Sequence, residues 1–255
     1  MIKACVFLGP TLQSSHVPPT IDVYGPATLG SIYKAAQAGY LRIGLVDGLF
    51  GNVPSVWHKE ILFALSKGAQ VYGAASMGAL RAAELYQYGM VGVGRVYWMF
   101  RLGVLVDDDE VAVIHGPPEL GCMALSEAMV NIRVTLNRMR KAGVISRKSE
   151  KAICLRLKNR YFADRSLNDL GEITASLTLE RDTKKKIKDH YFDVKADDAI
   201  QLCARMCSDP QMATTERLWK FPSTLFWATQ FEQMAADIPD LELSRPERVD
   251  PVGGI

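Results

Sequence analysis

Metal knuckles, nucleotide fingerprints and membrane spans are all missing from this sequence. Its five cysteines (Cys5, Cys122, Cys154, Cys203, Cys207) form no CxxC pair. Cys203 and Cys207 stand one helical turn apart, the spacing of a packed helix face rather than a metal site. No zinc-type ligand spacing occurs, no GxGxxG follows a strand-like run, and Gly9-Pro10-Thr11 is no phosphate loop. Neither a metal nor a cofactor is implied. No apolar run approaches membrane-spanning length, and Met1–Pro10 is too short and too soon broken to be a signal peptide. These absences point to a soluble protein in a reducing, cytoplasmic setting with no membrane partner.

What is present supports a large core. Hydrophobic residues make up 48% of the 255 positions and charged residues 23%, a balance that disfavours disorder. The net charge of +2 hides an asymmetry. Residues 133–190 carry 16 Lys+Arg against 7 Asp+Glu, and the rest of the chain is net acidic. Such a segment is either a set of solvated helix faces or a surface that steers an acidic partner. Nothing in its pattern asks for nucleic acid.

Four short apolar runs alternate with helical stretches in the first half, the signature of a parallel sheet covered by helices. Ala4–Leu8, Arg42–Val46, Gln70–Ala74 and Glu110–Ile114 are the expected strands, and their unbroken apolar character suits burial on both faces. Helices are expected over Thr28–Gln37, Ser55–Ser66 (with Pro54 where it begins), Gly78–Tyr88 and Gly94–Arg101, most of them closed by a glycine. After Pro118 the spacing turns helical throughout: Met123–Ala142, Arg147–Phe162, Leu167–Ile173, Leu177–Tyr191, Ala196–Cys207 and Ser223–Ala236. The fold class is therefore α/β, a parallel Rossmann-like or flavodoxin-like sheet followed by an all-helical region. Residues 1–120 form the α/β core, 121–236 the helical region and 237–255 a flexible tail.

In an open parallel sheet, ligands bind beyond the carboxyl ends of the strands, where strand order reverses. Thr11, Asp47, Ser76 and His115 each follow a different expected strand, so distant positions converge on one rim. Ala74-x-Ser76-x-Gly78 places a serine on a strand-to-helix turn flanked by small residues, like a nucleophile elbow with one glycine replaced by alanine. The amides of Met77 and Gly78 would then open a helix N-terminus for an oxyanion or phosphate. Three roles stay open for Ser76: nucleophile, ligand contact or plain helix cap. A serine nucleophile needs a base and an orienting group. His58 and His115 are the candidate bases, and Asp47 is the candidate orienting carboxylate. Lys59, beside Glu60 in the first turn of a helix, opposes the helix dipole and hints at an anionic ligand. Arg81 and Glu84 stand three apart and either pair with each other or bind ligand. Asp107-Asp108-Asp109-Glu110 reads as a solvated turn more readily than as a cation site, on the edge of the sheet opposite Ser76.

Several of these motifs, in order, resemble the TfuA-like family. They are Leu8-Gly9-Pro10-Thr11-Leu12, Val46-Asp47-Gly48-Leu49-Phe50, the stretches Val56–Leu62 and Gly73–Leu85, and Asp108–Val113. Lys195-Ala196-Asp197-Asp198-Ala199 resembles a weaker feature of longer members, and Ser31 stands where the family pattern often has Asp. The resemblance implies a partner of YcaO-type enzymes that install backbone thioamides. It also implies hydrolysis of the thiocarboxylate on a ubiquitin-like sulfur-carrier protein, which makes sulfide available. Two other readings stand beside the hydrolase: a non-catalytic activator or scaffold, and a nucleotide- or phosphate-binding module.

Overall fold

The computed structural model describes residues 2–49, 53–117, 122–178, 182–210, 219–231 and 233. The expected tail 237–255 and the end of the last expected helix lie outside these. Five parallel strands, β1 (Ala4–Phe7), β2 (Asp22–Tyr24), β3 (Arg42–Leu45), β4 (Gln70–Gly73) and β5 (Val91–Gly92), make one sheet in the order β2-β1-β3-β4-β5. This is the flavodoxin-like order of a doubly wound sheet. Four helices accompany the strands: α1 (Ser31–Gln37), α2 (His58–Ser66), α3 (Met77–Leu85) and α4 (Gly94–Arg101). Five follow them: α5 (Met129–Lys141), α6 (Arg147–Lys158), α7 (Leu167–Thr178), α8 (Thr183–His190) and α9 (Val194–Ser208).

Strand alternation splits the core into two layers. Cys5, Phe7, Ile43, Leu45 and Val71 point to one side, where they join Ile32 of α1, Ile61 and Leu65 of α2 and Ala79 and Ala82 of α3. Val6, Val46 and Tyr72 point to the other and meet Ala199, Leu202 and Met206 of α9. A Cβ on Gly44 would stand 2.7 Å from Met206 Sδ and 2.9 Å from Leu202 Cδ2, so the missing side chain lets α9 settle onto β3. Fully buried, Leu202 and Met206 together contribute roughly 3–6 kcal/mol. One covering layer of the sheet thus comes from the far end of the helical region. Helices α5–α8 bury a separate core around Leu136, Ile153, Leu157 and Leu170.

Three features depart from the sequence reading. The run Glu110–Ile114 is not a strand: Asp108–Glu110 is a 3-10 turn, and Val111–Val113 is buried as irregular chain. β2 and β5 take the sheet to five strands without it. α2 starts at His58 rather than beside Pro54, because Glu60 Oε1 accepts the Trp57 amide at 2.7 Å and so sets the first turn there.

Candidate functional site

The order of the sheet reverses between β1 and β3, and Asp47 sits just beyond β3 at that point. Its carboxylate is fully buried and takes three donors from the turn after β1. These are the Gly9 amide (2.9 Å), the Thr11 amide (3.1 Å) and the Thr11 hydroxyl (2.6 Å). Asp47 thereby clamps two strand ends together and is held in one orientation. His115 stands against the same turn: a Cβ on Gly9 would lie 3.2 Å from both Asp47 Cβ and His115 Cε1. His115 gets there without the expected strand, through a single antiparallel bridge to Ala124. Burial holds its imidazole below the ordinary histidine value, against the pull of Asp47 and with a push from Lys195, so the ring is neutral at neutral pH. Its Nδ1 is buried with no hydrogen-bond partner among the described residues.

Ser76 occupies the sharp turn anticipated between β4 and α3, but the strain lies one residue earlier. Ala75 has φ of +64°, and the Ser76 amide folds back to the Ala74 carbonyl at 2.8 Å. In a nucleophile elbow the serine sits on the strained turn itself; here its neighbour carries the positive φ. Gly78 must be small because of the neighbouring strand rather than the turn itself. A Cβ on Gly78 would fall 1.8 Å from the Leu45 carbonyl oxygen, so α3 begins pressed against β3. That contact occupies the Gly78 amide, which donates to the Val46 carbonyl at 3.2 Å. Gly78 offers nothing to an oxyanion, and the Met77 side chain is core packing against Gly48. The Ser76 hydroxyl is buried and makes its one contact with the Val111 carbonyl, at 3.5 Å. Among the described residues it has no hydrogen bond to a histidine.

The same Val111 carbonyl accepts the ammonium of Lys195 at 2.9 Å. The segment after the acidic run therefore lies at the Ser76 edge, not the opposite one. Lys195 comes from the first turn of α9 and is fully buried. Burial lowers its pKa in spite of the pull of Asp47, Asp193 and Glu127. An ammonium has three protons to donate, and among the described residues one is used. Lys195 and Thr11 line a small open cavity of about 70 Å³ together with Ser126, Glu127, Asn131, Tyr191 and Asp193. Its carboxylates are already engaged: Glu127 accepts from Asn131 (3.0 Å), the Ala128 amide (3.1 Å) and Tyr191 (3.1 Å), and Asp193 caps α9 through the Ala196 amide (3.0 Å). Lys195 is a further candidate that the sequence reading did not single out. Its signal was the Lys195–Ala199 motif.

The remaining candidates gather elsewhere. His58 Nε2 meets Glu84 at 2.7 Å and Arg81 meets the same carboxylate at 2.8 Å, forming an exposed cluster. Glu84 is roughly 10 Å along α3 from its start, well away from Ser76. Lys59 donates to Thr224 at 2.8 Å and lies 5.7 Å from the ring centres of Phe221 and Trp227, so aromatic rings hold it in place of an anion. Glu60 is buried and accepts the amides of Ile32 (3.0 Å) and Tyr33 (3.4 Å), closing the N-terminus of α1; burial pushes its pKa up to about 7 despite these donors. The acidic run is matched internally. Arg133 grips Glu110 with two bonds of 2.8 and 2.7 Å, Lys158 contacts Asp107, Asp109 and Glu110, and Arg165 contacts Asp109. Part of the basic excess of residues 133–190 is answered in this way. Among the described residues, no helix is long and apolar enough to cross a membrane.

No curated protein matches this chain. Residues 47–166 match the family model described as TfuA-like protein, a span that opens on Asp47 and takes in Ser76, Val111, His115 and Glu127. Over that span, with the motifs on both sides of Asp47 in register, the chain is similar to the TfuA-like family, a likeness that supports involvement in YcaO-associated thioamidation.

Proposed function

We propose that the crevice beyond β1 and β3 hydrolyses the thiocarboxylate at the tail of a ubiquitin-like sulfur-carrier protein, releasing sulfide for a YcaO partner. One observation supports this reading: a buried lysine, with one of its three ammonium protons hydrogen-bonded among the described residues, lines a small polar cavity at the switch point, and a neutral imidazole stands against the neighbouring Gly9 turn. A cavity of about 70 Å³ has room for about two waters, which suits a slim chain terminus better than a bulky side chain. In the reaction the oxygen of water bonds to the thiocarboxylate carbon and the C–S bond breaks. Sulfur leaves as hydrogen sulfide and the carrier regains its carboxylate.

The roles follow from the groups present. His115 takes a proton from the attacking water. Lys195 donates to the oxygen on which charge develops, an interaction strengthened by exclusion of solvent. Asp47 and Thr11 hold the two strand ends in register. Ser76 positions the Val111 carbonyl and does not attack. Incubation with thiocarboxylated carrier, followed by sulfide release, tests this assignment. Lys195→Met and His115→Gln should each lower kcat by at least about a hundredfold, while Ser76→Ala stays within about threefold. The acid limb of the pH profile should fall below 6.5, because the His115 value is lowered. Loss of activity in Ser76→Ala alongside normal rates in the other two would sink it.

The isolation of the Ser76 hydroxyl from any base favours one second reading, a non-catalytic activator of YcaO. That reading requires the protein even when excess free sulfide is supplied. Full replacement by sulfide excludes it. The nucleotide-binding alternative keeps the doubly wound sheet, but one of its two amides at the start of α3, that of Gly78, is already bonded.

A further inference from the structure

A second, much larger concavity lies between α4, α5 and α6. Its volume is about 1110 Å³, above the usual range of small-molecule pockets. Eight of its fifteen lining residues are Arg or Lys, against the single acid Glu150. Arg133, Arg140 and Lys158 are paired with carboxylates. Arg138, Lys141, Arg147 and Lys151 are exposed and take part in no ion pair among the described residues. They stand three apart on α5 and four apart on α6, so like charges are stacked on single helix faces. Such stacking destabilises a helix by a few tenths of a kcal/mol per pair unless an opposite charge joins it. Phe192 lies beneath the Arg138 guanidinium at 5.0 Å and helps to hold it outward.

The rim is apolar. Val104 and Leu155 line the groove and are 62% and 63% exposed, and Leu102 and Val106 beside Val104 are 73% and 76% exposed. Charged walls with exposed aliphatic side chains along the edge are the features of a protein-binding surface. No aromatic side chain among the described residues lines the groove, so it offers no platform on which nucleic-acid bases stack.

We propose that the groove between α4, α5 and α6 docks an acidic polypeptide segment of a protein partner, its carboxylates meeting Arg138, Lys141, Arg147 and Lys151 and its apolar side chains covering Val104 and Leu155. The groove shares no lining residue with the Lys195 cavity, so the docking stands whatever the sulfide assay returns.

The test is fluorescence anisotropy of the full chain with a labelled peptide of about twelve residues alternating Glu and Leu. The same peptide with Lys in place of Glu and a single-stranded oligothymidine serve as competitors. The Glu/Leu peptide should bind most tightly and weaken with added salt. Arg138→Glu combined with Lys151→Glu should weaken it at least about tenfold, and Val104→Ser combined with Leu155→Ser several-fold. All four positions are exposed, so a melting temperature unchanged from wild type shows that the fold is intact. Equal binding by the charge-reversed protein, or tighter binding of oligothymidine than of the peptide, overturns the proposal.

Discussion

Replacing Gly78 by alanine sets two physical effects against each other. Alanine is the better helix former, so propensity alone says that Gly78→Ala in the first turn of α3 stabilises by up to about 1 kcal/mol. The packing says the opposite. The new Cβ would stand 1.8 Å from the Leu45 carbonyl oxygen and 2.6 Å from its carbon, where ordinary contact begins near 3.4 Å. Helix α3 must then withdraw from β3 by about 1.6 Å, and close-packed interiors resist such shifts. Overpacking of this kind costs about 1–3 kcal/mol. The move also breaks the 3.2 Å bond from the Gly78 amide to the Val46 carbonyl, worth about 1 kcal/mol. Offset by the propensity gain, the net loss is about 2 kcal/mol, or a melting temperature lower by roughly 4–8 °C in a chain of this size. Urea titration measures it as a lower midpoint at unchanged slope. Gly103→Ala is the control: its φ is +68° with nothing within 4 Å of the new Cβ, so only backbone strain of about 1 kcal/mol applies. A Gly78→Ala protein as stable as wild type would refute the close approach of α3 to the sheet.

Two more predictions concern buried charge. Arg165 is 1% exposed and donates to the Leu157, Arg160 and Asp109 carbonyls at 3.1, 3.0 and 2.7 Å as well as to the Asp109 carboxylate. Arg165→Met strands those acceptors and should cost about 3–5 kcal/mol by chemical denaturation, and Arg165→Lys should recover little, because one ammonium cannot span the set. Stability should also fall as pH rises from about 4 to about 7. Burial raises Glu60 from 4.5 to about 7 and Asp198 from 3.8 to about 6, so the native state keeps protons that the unfolded chain has released. Each group accounts for up to about 3 kcal/mol of that decline. Asp198→Asn should flatten its share, and a wild-type stability that rises steadily over this range would contradict burial as the dominant influence.

The strands β1, β3 and β4 were legible because each is a short apolar run, closed by Gly9-Pro10, by Asp47-Gly48 and just before Ser76, and α4 matched its sequence pattern at both ends. β2 and β5 escaped because three and two residues are too few to show a period. Glu110–Ile114 misled because an apolar run reports burial, and irregular chain covered by α5 is buried as well as a strand is. The rim was readable from topology at Thr11 and Asp47. The partner of His58 was not readable: Glu84, two turns along a neighbouring helix, meets it, a pairing set by how α2 and α3 pack. Lys195 could be suspected from its motif, but its place beside Asp47 depends on where α9 lies on the sheet. Nothing in local spacing encodes that.

The way α9 crosses the sheet has a consequence for how the molecule matures. During synthesis the first hundred residues emerge with a hydrophobic face around Val6, Val46 and Tyr72 still open and with no ammonium beside Asp47. When α9 arrives, one event covers that face and delivers Lys195 through the first turn of the same helix. Covering of that face and arrival of the buried ammonium at the Val111 carbonyl are thus a single step, and a chain lacking α9 has neither.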